Sequence, residues 1–303
     1  MVKDLYRYIW KVSARDQVLL SLLAIALFLI ELAPLELQRR IVNAAVERHD
    51  FGWVGTLCLA YAGVVLVHGA LKLLMNVYRG AVSERANRRL RLQMNQAPQS
   101  AEGVKISVIV SEVESVGGFV GTSFSEPMLN MGILLSIFGY MLFTQPWMAL
   151  VALGIFLPQL LFIPFLQEGI NLRTRERIET MRALSVDIVK EAAERNAPSH
   201  QTFRQRISSI YRLNMEIFVR KFGMNFLMNF LFQLGVVGIL AVGGWLVIQG
   251  KTEVGTIVAF ISGLARMNDP WGDMVDFFRN LTNTGHKYQM IAAELEASGA
   301  GKP

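Results

Sequence analysis

VLLSLLAIALFLIELAPLEL, residues 18–37, decides the fold. Thirteen uncharged positions lead up to Glu31. Twenty residues is the length an α-helix needs to cross about 30 Å of hydrocarbon at 1.5 Å per residue. The same signature recurs at residues 53–78, 119–143, 147–167 and 224–248. A sixth apolar run, residues 254–265, is too short alone and reaches a spanning length only by continuing through Arg266 and Asp269 toward Phe278. The reading is an all-α membrane protein with six transmembrane helices, the sixth of them charged.

Composition agrees. Hydrophobic residues make up 52% of the 303 and charged residues 18%, where about 25% charged is usual for a soluble domain. Mean hydropathy is +0.37. The first run is long, holds Glu31 and lacks a clear small-residue cleavage site, so it reads as a span and not as a cleaved signal peptide. The one cysteine, Cys58, lies within the second run and excludes a disulfide framework.

Lys and Arg set the orientation of such a chain. Four precede the first span, six follow the second, eleven follow the fourth and four lie in the C-terminal part. The alternate connections hold three, none and one, and Lys72 sits inside a span. Twenty-five against four places both termini and the long connections in the cytoplasm. The pI of 9.5 therefore records membrane orientation and not nucleic-acid binding.

Residues 1–17 form an amphipathic elbow. Leu5, Tyr8, Ile9 and Val12 share one helical face, while Lys3, Arg7 and Lys11 share the opposite one. That pattern reads as a helix lying on the inner membrane surface, with a helix packed on protein as the alternative. The outer turns at residues 144–146 and 249–253 are short and marked by Pro or Gly. The inner connections at residues 79–96 and 171–194 are rich in Arg, Glu, Ala and Leu, so helices are expected to run on beyond the membrane before turning at proline-containing stretches, residues 95–103 and 196–201.

This layout resembles the transmembrane domain of type I ABC exporters: an elbow helix, six spans, short outer turns and two long cytoplasmic hairpins. Residues 85–91 resemble the basic descent of that family's second helix, and GVKISVIVSEVESVGGF, residues 103–119, resembles its glycine-led return. The most specific match is GWLVIQGKTEVGTIVAFISGLARMNDP, residues 244–270, and residues 288–296 resemble the approach to a nucleotide-binding domain. The resemblance implies domains at residues 1–17 (elbow), 18–290 (six-helix domain) and 291–303 (tail or linker stub). It also implies a substrate pathway in a dimer and two cytoplasmic tips that grip an ATP-binding partner, here carrying Gln96, Pro98, Asn196, Pro198 and His200. Both tips are shorter than usual for the family. No phosphate-cradling loop is present, because the Gly-Lys-Thr at residues 250–252 has Trp245 where the leading glycine belongs. ATP and magnesium, if used, belong to that partner.

No enzyme site or metal-ligand spacing is legible among the four histidines, so the candidate residues are polar groups inside spans. Glu31 stands ~20 Å up the first helix at 1.5 Å per residue and precedes Pro34, which frees a carbonyl and kinks the helix. It is a cavity-facing carboxylate or a hydrated one near the outer interface. His68, one turn from Lys72, is an interhelical hydrogen bonder or a proton carrier. Asn225, Asn229 and Gln233 repeat every four residues beside Phe218, Phe222, Phe226 and Phe230, and either line an amphiphile pathway or bond neighbouring helices. Asp269, with Pro270 and Asp273, resembles the family's kinked inner half of helix six. Gly117, Gly121, Gly235, Gly238, Gly243 and Gly244 are expected to permit close helix packing. The expectation is a half-transporter in the bacterial inner membrane, working as a homodimer or heterodimer by alternating access, exporting in direction and energised by an ATP-binding domain on another chain. An ion-driven transporter using Glu31 and a non-transporting scaffold or regulatory partner are the alternatives.

Overall fold

The computed structural model describes residues 2–48, 51–95, 103–194 and 200–297. Among them the chain is helical with no strand: α1 (Val2–Ile30), α2 (Leu32–Asn43), a π-helical turn (Ala44–Arg48), α3 (Phe51–Asn95), α4 (Gly103–Thr122), α5 (Ser125–Thr144), α6 (Pro146–Glu194), α7 (His200–Ile248) and α8 (Val254–Ala297). Five stretches are long and apolar enough to cross a membrane, namely Val2–Val46, Phe51–Gln93, Ser125–Thr144, Pro146–Ser185 and Phe203–Ile248. The protein is an all-α, multi-pass membrane protein. The sixth run is a continuous helix, α8, that passes through Pro270 without a break, but its charges keep it out of those five. The expected third span, residues 119–143, is interrupted at Ser123 and Phe124, so its apolar crossing is α5 alone.

Two compact units make up the chain: residues 1–149 with 242–303, and residues 150–241.

In the first unit α1 bends at Ser13 (φ −142°, ψ 27°). The bend is held by the Ser13 hydroxyl, which donates to the Ile9 carbonyl at 2.9 Å, and by Gln17, whose amide reaches the Val120 carbonyl at 2.7 Å. The elbow is thus residues 2–12. Its apolar face is covered by protein: Leu5, Tyr8 and Ile9 join Met75, Val82 and Leu90 of α3, Val113 and Val116 of α4 and Phe277, Tyr288 and Ile291 of α8 in one buried cluster. Tyr8 lies against Tyr288 at 5.3 Å between ring centroids, and Phe119 stacks on Phe277. Asp16 ties the bend to α3, accepting from the Tyr78 hydroxyl at 2.5 Å and pairing with Arg85 at 3.4 Å.

Glycine decides how closely helices approach here. A side chain at Gly121 would overlap the Arg79 carbonyl and the Ser83 hydroxyl, so α4 lies directly on α3. Gly243 is likewise hemmed in by Ile257 and Met148, whereas Gly244 faces open space and plays no packing part.

In the second unit α6 and α7 run antiparallel. Arg220 donates to the Gly169 carbonyl at 3.3 Å, Arg173 pairs with Glu216 at 2.9 Å, and Arg177 donates to Asn214 at 3.3 Å. The numbers rise on one helix as they fall on the other. Each helix has 49 residues, about 74 Å at 1.5 Å per residue, against ~30 Å of hydrocarbon. Both therefore extend far beyond a membrane, as their charged, breaker-poor composition led one to expect.

Candidate functional site

The candidate site is the joint between α1 and α2. Pro34 cannot donate to the Ile30 carbonyl, and the helix is interrupted for one residue, Glu31, whose backbone stays helical (φ −59°, ψ −22°) with its N–H on the Leu27 carbonyl at 3.0 Å. Glu31 is only 9% exposed. A carboxylate in such a place is costly unless its charge and both oxygens find partners. Arg266 of α8 donates through Nη1 to Oε1. His68 of α3 places Nε2 2.8 Å from Oε2. One broken joint is thus tied to two other helices.

Register explains why these three meet. Glu31 and Gln38 lie two turns apart on α2, and His68 and Tyr61 lie two turns apart on α3. Gln38 donates to the Tyr61 hydroxyl at 3.1 Å, so one antiparallel register makes both contacts. On the other side, Asn43 at the end of α2 donates to Glu253 and accepts from the Gly255 backbone N–H at 2.7 Å, capping α8. Glu31 lies twelve residues below Asn43, and Arg266 eleven below Gly255, about 18 and 17 Å at 1.5 Å per residue. The two helices are fastened at both ends of one stretch. Only glycine fits at 255, because a side chain would overlap the Arg39 carbonyl and Asn43.

A further network links α2 to α5. Glu36 accepts from Arg39 at 3.0 Å, from Arg40 at 2.7 Å and from the Tyr140 hydroxyl at 3.0 Å. Lower in the same unit Arg79 donates to the Ser125 hydroxyl at 2.7 Å, within electrostatic reach of Glu126 and Asp273. Asp273 also feels Lys72 and Asp269.

Of the residues singled out by sequence, Glu31 and His68 come together directly. Asp269 does not join them; it is exposed on α8 beside Asp273. Asn225, Asn229 and Gln233 belong to the second unit and are exposed there, as are Phe218, Phe222, Phe226 and Phe230. Phe226 and Phe230 stack at 6.0 Å between centroids. Gln96, Pro98, Asn196 and Pro198 lie outside the described residues, and His200 opens α7 with its side chain likewise undescribed.

The sequence reading missed Arg266, which it assigned to a charged inner tail. A signal was there: a lone cation inside an apolar helix needs an anion, and Glu31 offered one. Arg79 was missed because it falls at the end of an apolar run, where charge is ordinary, and Glu126 was passed over although it lies inside the run 119–143. Among the described residues no group of three His, Cys, Asp or Glu is placed to hold a metal ion. Chemically, the joint is a neutralised clamp: Arg266 cancels the Glu31 charge, and His68 fills the second oxygen.

The chain matches no protein-family model and no curated protein.

Proposed function

We propose that this chain is the transmembrane subunit of an ABC-type transporter. It forms half of a dimeric pathway that works by alternating access and exports its substrate, with an ATP-binding domain on another chain as the energy source. The observation that carries this reading is the pair α6 and α7. Two helices of 49 residues each, far longer than a membrane is thick, make a compact unit with exposed polar and aromatic stripes. Such a hairpin transmits movement between a membrane pathway and a partner beyond it. The elbow, the helix order and the short turns at residues 145 and 249–253 support the same layout. In this orientation both termini lie in the cytoplasm of a bacterial inner membrane, and α8 is the sixth span. Its charges are tolerable there because Arg266 is paired.

The clamp then has a defined part. Alternating access needs helices that move as rigid groups, and a broken helix fastened to α3 and α8 moves with them. The imidazole 2.8 Å from Glu31 favours a second reading, an ion-driven transporter in which His68 and Glu31 exchange a proton.

Transport by purified protein in proteoliposomes tests both. The first reading expects no uptake under an imposed pH gradient alone, and uptake or extrusion once an ATP-binding subunit and ATP are added. Gradient-dependent uptake that disappears in Glu31→Gln would overturn it in favour of the second.

A further inference from the structure

One end of the first unit carries a groove of about 500 Å³, lined by Gln145, Trp147, Trp245, Leu246 and Lys251. Two turns build it. Gln145 is the single non-helical residue between α5 and α6, its N–H bonded to the Met141 carbonyl at 2.9 Å. After α7 the chain reverses at Gly250, whose φ of +69° favours glycine. The N–H groups of Gly250 and Lys251 bond back to the Val247 and Leu246 carbonyls, each at 2.9 Å. This reversal folds Lys251 over the preceding turn, with Nζ 5.8 Å from the centre of the Trp245 ring. The Gln145 side-chain amide donates to the Lys251 carbonyl at 3.4 Å, joining the two turns.

The chemistry of the lining is mixed in a specific way. Trp147 is 67% exposed and Trp245 56% exposed, and indoles at the ends of spanning helices settle at the boundary between headgroups and acyl chains. At the same end Arg39 and Arg40 are engaged with Glu36, and Glu253 is held by Asn43 and Arg39. Among the described residues Lys251 pairs with no carboxylate. Its ammonium therefore stands over an aromatic face with free N–H donors, beside an amide and above an apolar wall.

We propose that this groove binds the anionic phosphate headgroup of a membrane lipid. The Lys251 ammonium and the Gln145 amide face the phosphate, while Trp147, Trp245 and Leu246 cover the glycerol and the first acyl carbons. A soluble phosphate would use the cation but not the two indoles, which is why the lipid is the ligand. This assignment does not depend on whether the chain transports anything.

The test uses the full chain in nanodiscs of phosphatidylcholine with a minor fraction of phosphatidylglycerol, with retained lipids counted by native mass spectrometry. Lys251→Gln is expected to weaken phosphatidylglycerol retention roughly fivefold, since one basic residue near an anionic surface is worth about 1 kcal/mol. Lys251→Arg should retain it, Trp147→Ala should lower it, and Lys11→Gln, a distant exposed lysine, should leave it unchanged. Equal melting temperatures in pure phosphatidylcholine exclude misfolding as the cause. Unaltered retention in Lys251→Gln, or the same loss in Lys11→Gln, would overturn the site. A second arm titrates inorganic phosphate into phosphatidylcholine discs and follows its phosphorus resonance. Lys251-dependent broadening as strong as the lipid effect would overturn the lipid in favour of a small-anion site.

Discussion

The joint at Glu31 and the stripe on α7 hold similar polar residues in opposite circumstances. At the joint the polar groups find partners within the chain: Glu31 beside Arg266 and His68, the Gln38 amide N–H on Tyr61, Asn43 on the α8 backbone, with the Gln38 carbonyl oxygen left buried and unpaired. On α7, Asn225, Asn229 and Gln233 are exposed. A polar group inside a membrane is retained either because it fastens helices or because something passes it. Satisfied partners mark the first use and open faces mark the second. On the proposed reading, the contrast gives architecture to one region and the pathway, or a second copy, to the other.

The largest expected effect breaks the first half of that contrast. Arg266→Met leaves Glu31 buried without its counter-ion and should destabilise the protein by about 3–5 kcal/mol, read as a lowered melting temperature in mild detergent. Adding Glu31→Gln to that variant should recover much of the loss, since both charges are then gone. If Arg266→Met alone is harmless, the joint is not a clamp.

A smaller effect comes from the far end of the same stretch. Gly255→Ala forces α8 off the Arg39 carbonyl and Asn43, and should cost about 1–3 kcal/mol as an overpacked contact. Asn43→Leu removes the cap without adding bulk and should cost less, about 1 kcal/mol. Equal melting temperatures for Gly255→Ala and the parent would mean that the α2–α8 approach is loose.

The smallest stability effect is expected on α7. Leu at Asn225, Asn229 and Gln233 should each stay within about 0.5 kcal/mol of the parent, as exposed positions usually do, while transport falls or changes substrate preference. A large loss of stability with normal transport would turn the stripe into packing and dissolve the contrast.

Much of this architecture was legible in sequence because hydrocarbon thickness fixes helix length and Pro, Gly and charge mark the ends. Glu31 and His68 stood out as ionisable groups in apolar runs. Their pairing did not, because it depends on the register between α2 and α3, and one sequence gives no measure of that. Arg266 was hidden for a related reason. Counted as topology-setting charge it looked like an inner residue, although eleven residues separate it from the cap at Gly255. The elbow's apolar face read as facing lipid, with protein as the alternative, and only the packing of Tyr8 on Tyr288 decides between them. The break at Ser123 and Phe124 does have a sign, Pro127, which cannot donate to the Ser123 carbonyl, but the apolar run continues past it.

On the proposed reading, the exposed polar and aromatic stripes on α7 belong to one half of a twofold assembly. The most direct test is the mass of the purified particle in lipid nanodiscs, where detergent cannot separate subunits. The account predicts two copies of the 33.9 kDa chain, or one copy with a homologous half. A particle that holds a single chain at every protein-to-lipid ratio would contradict it.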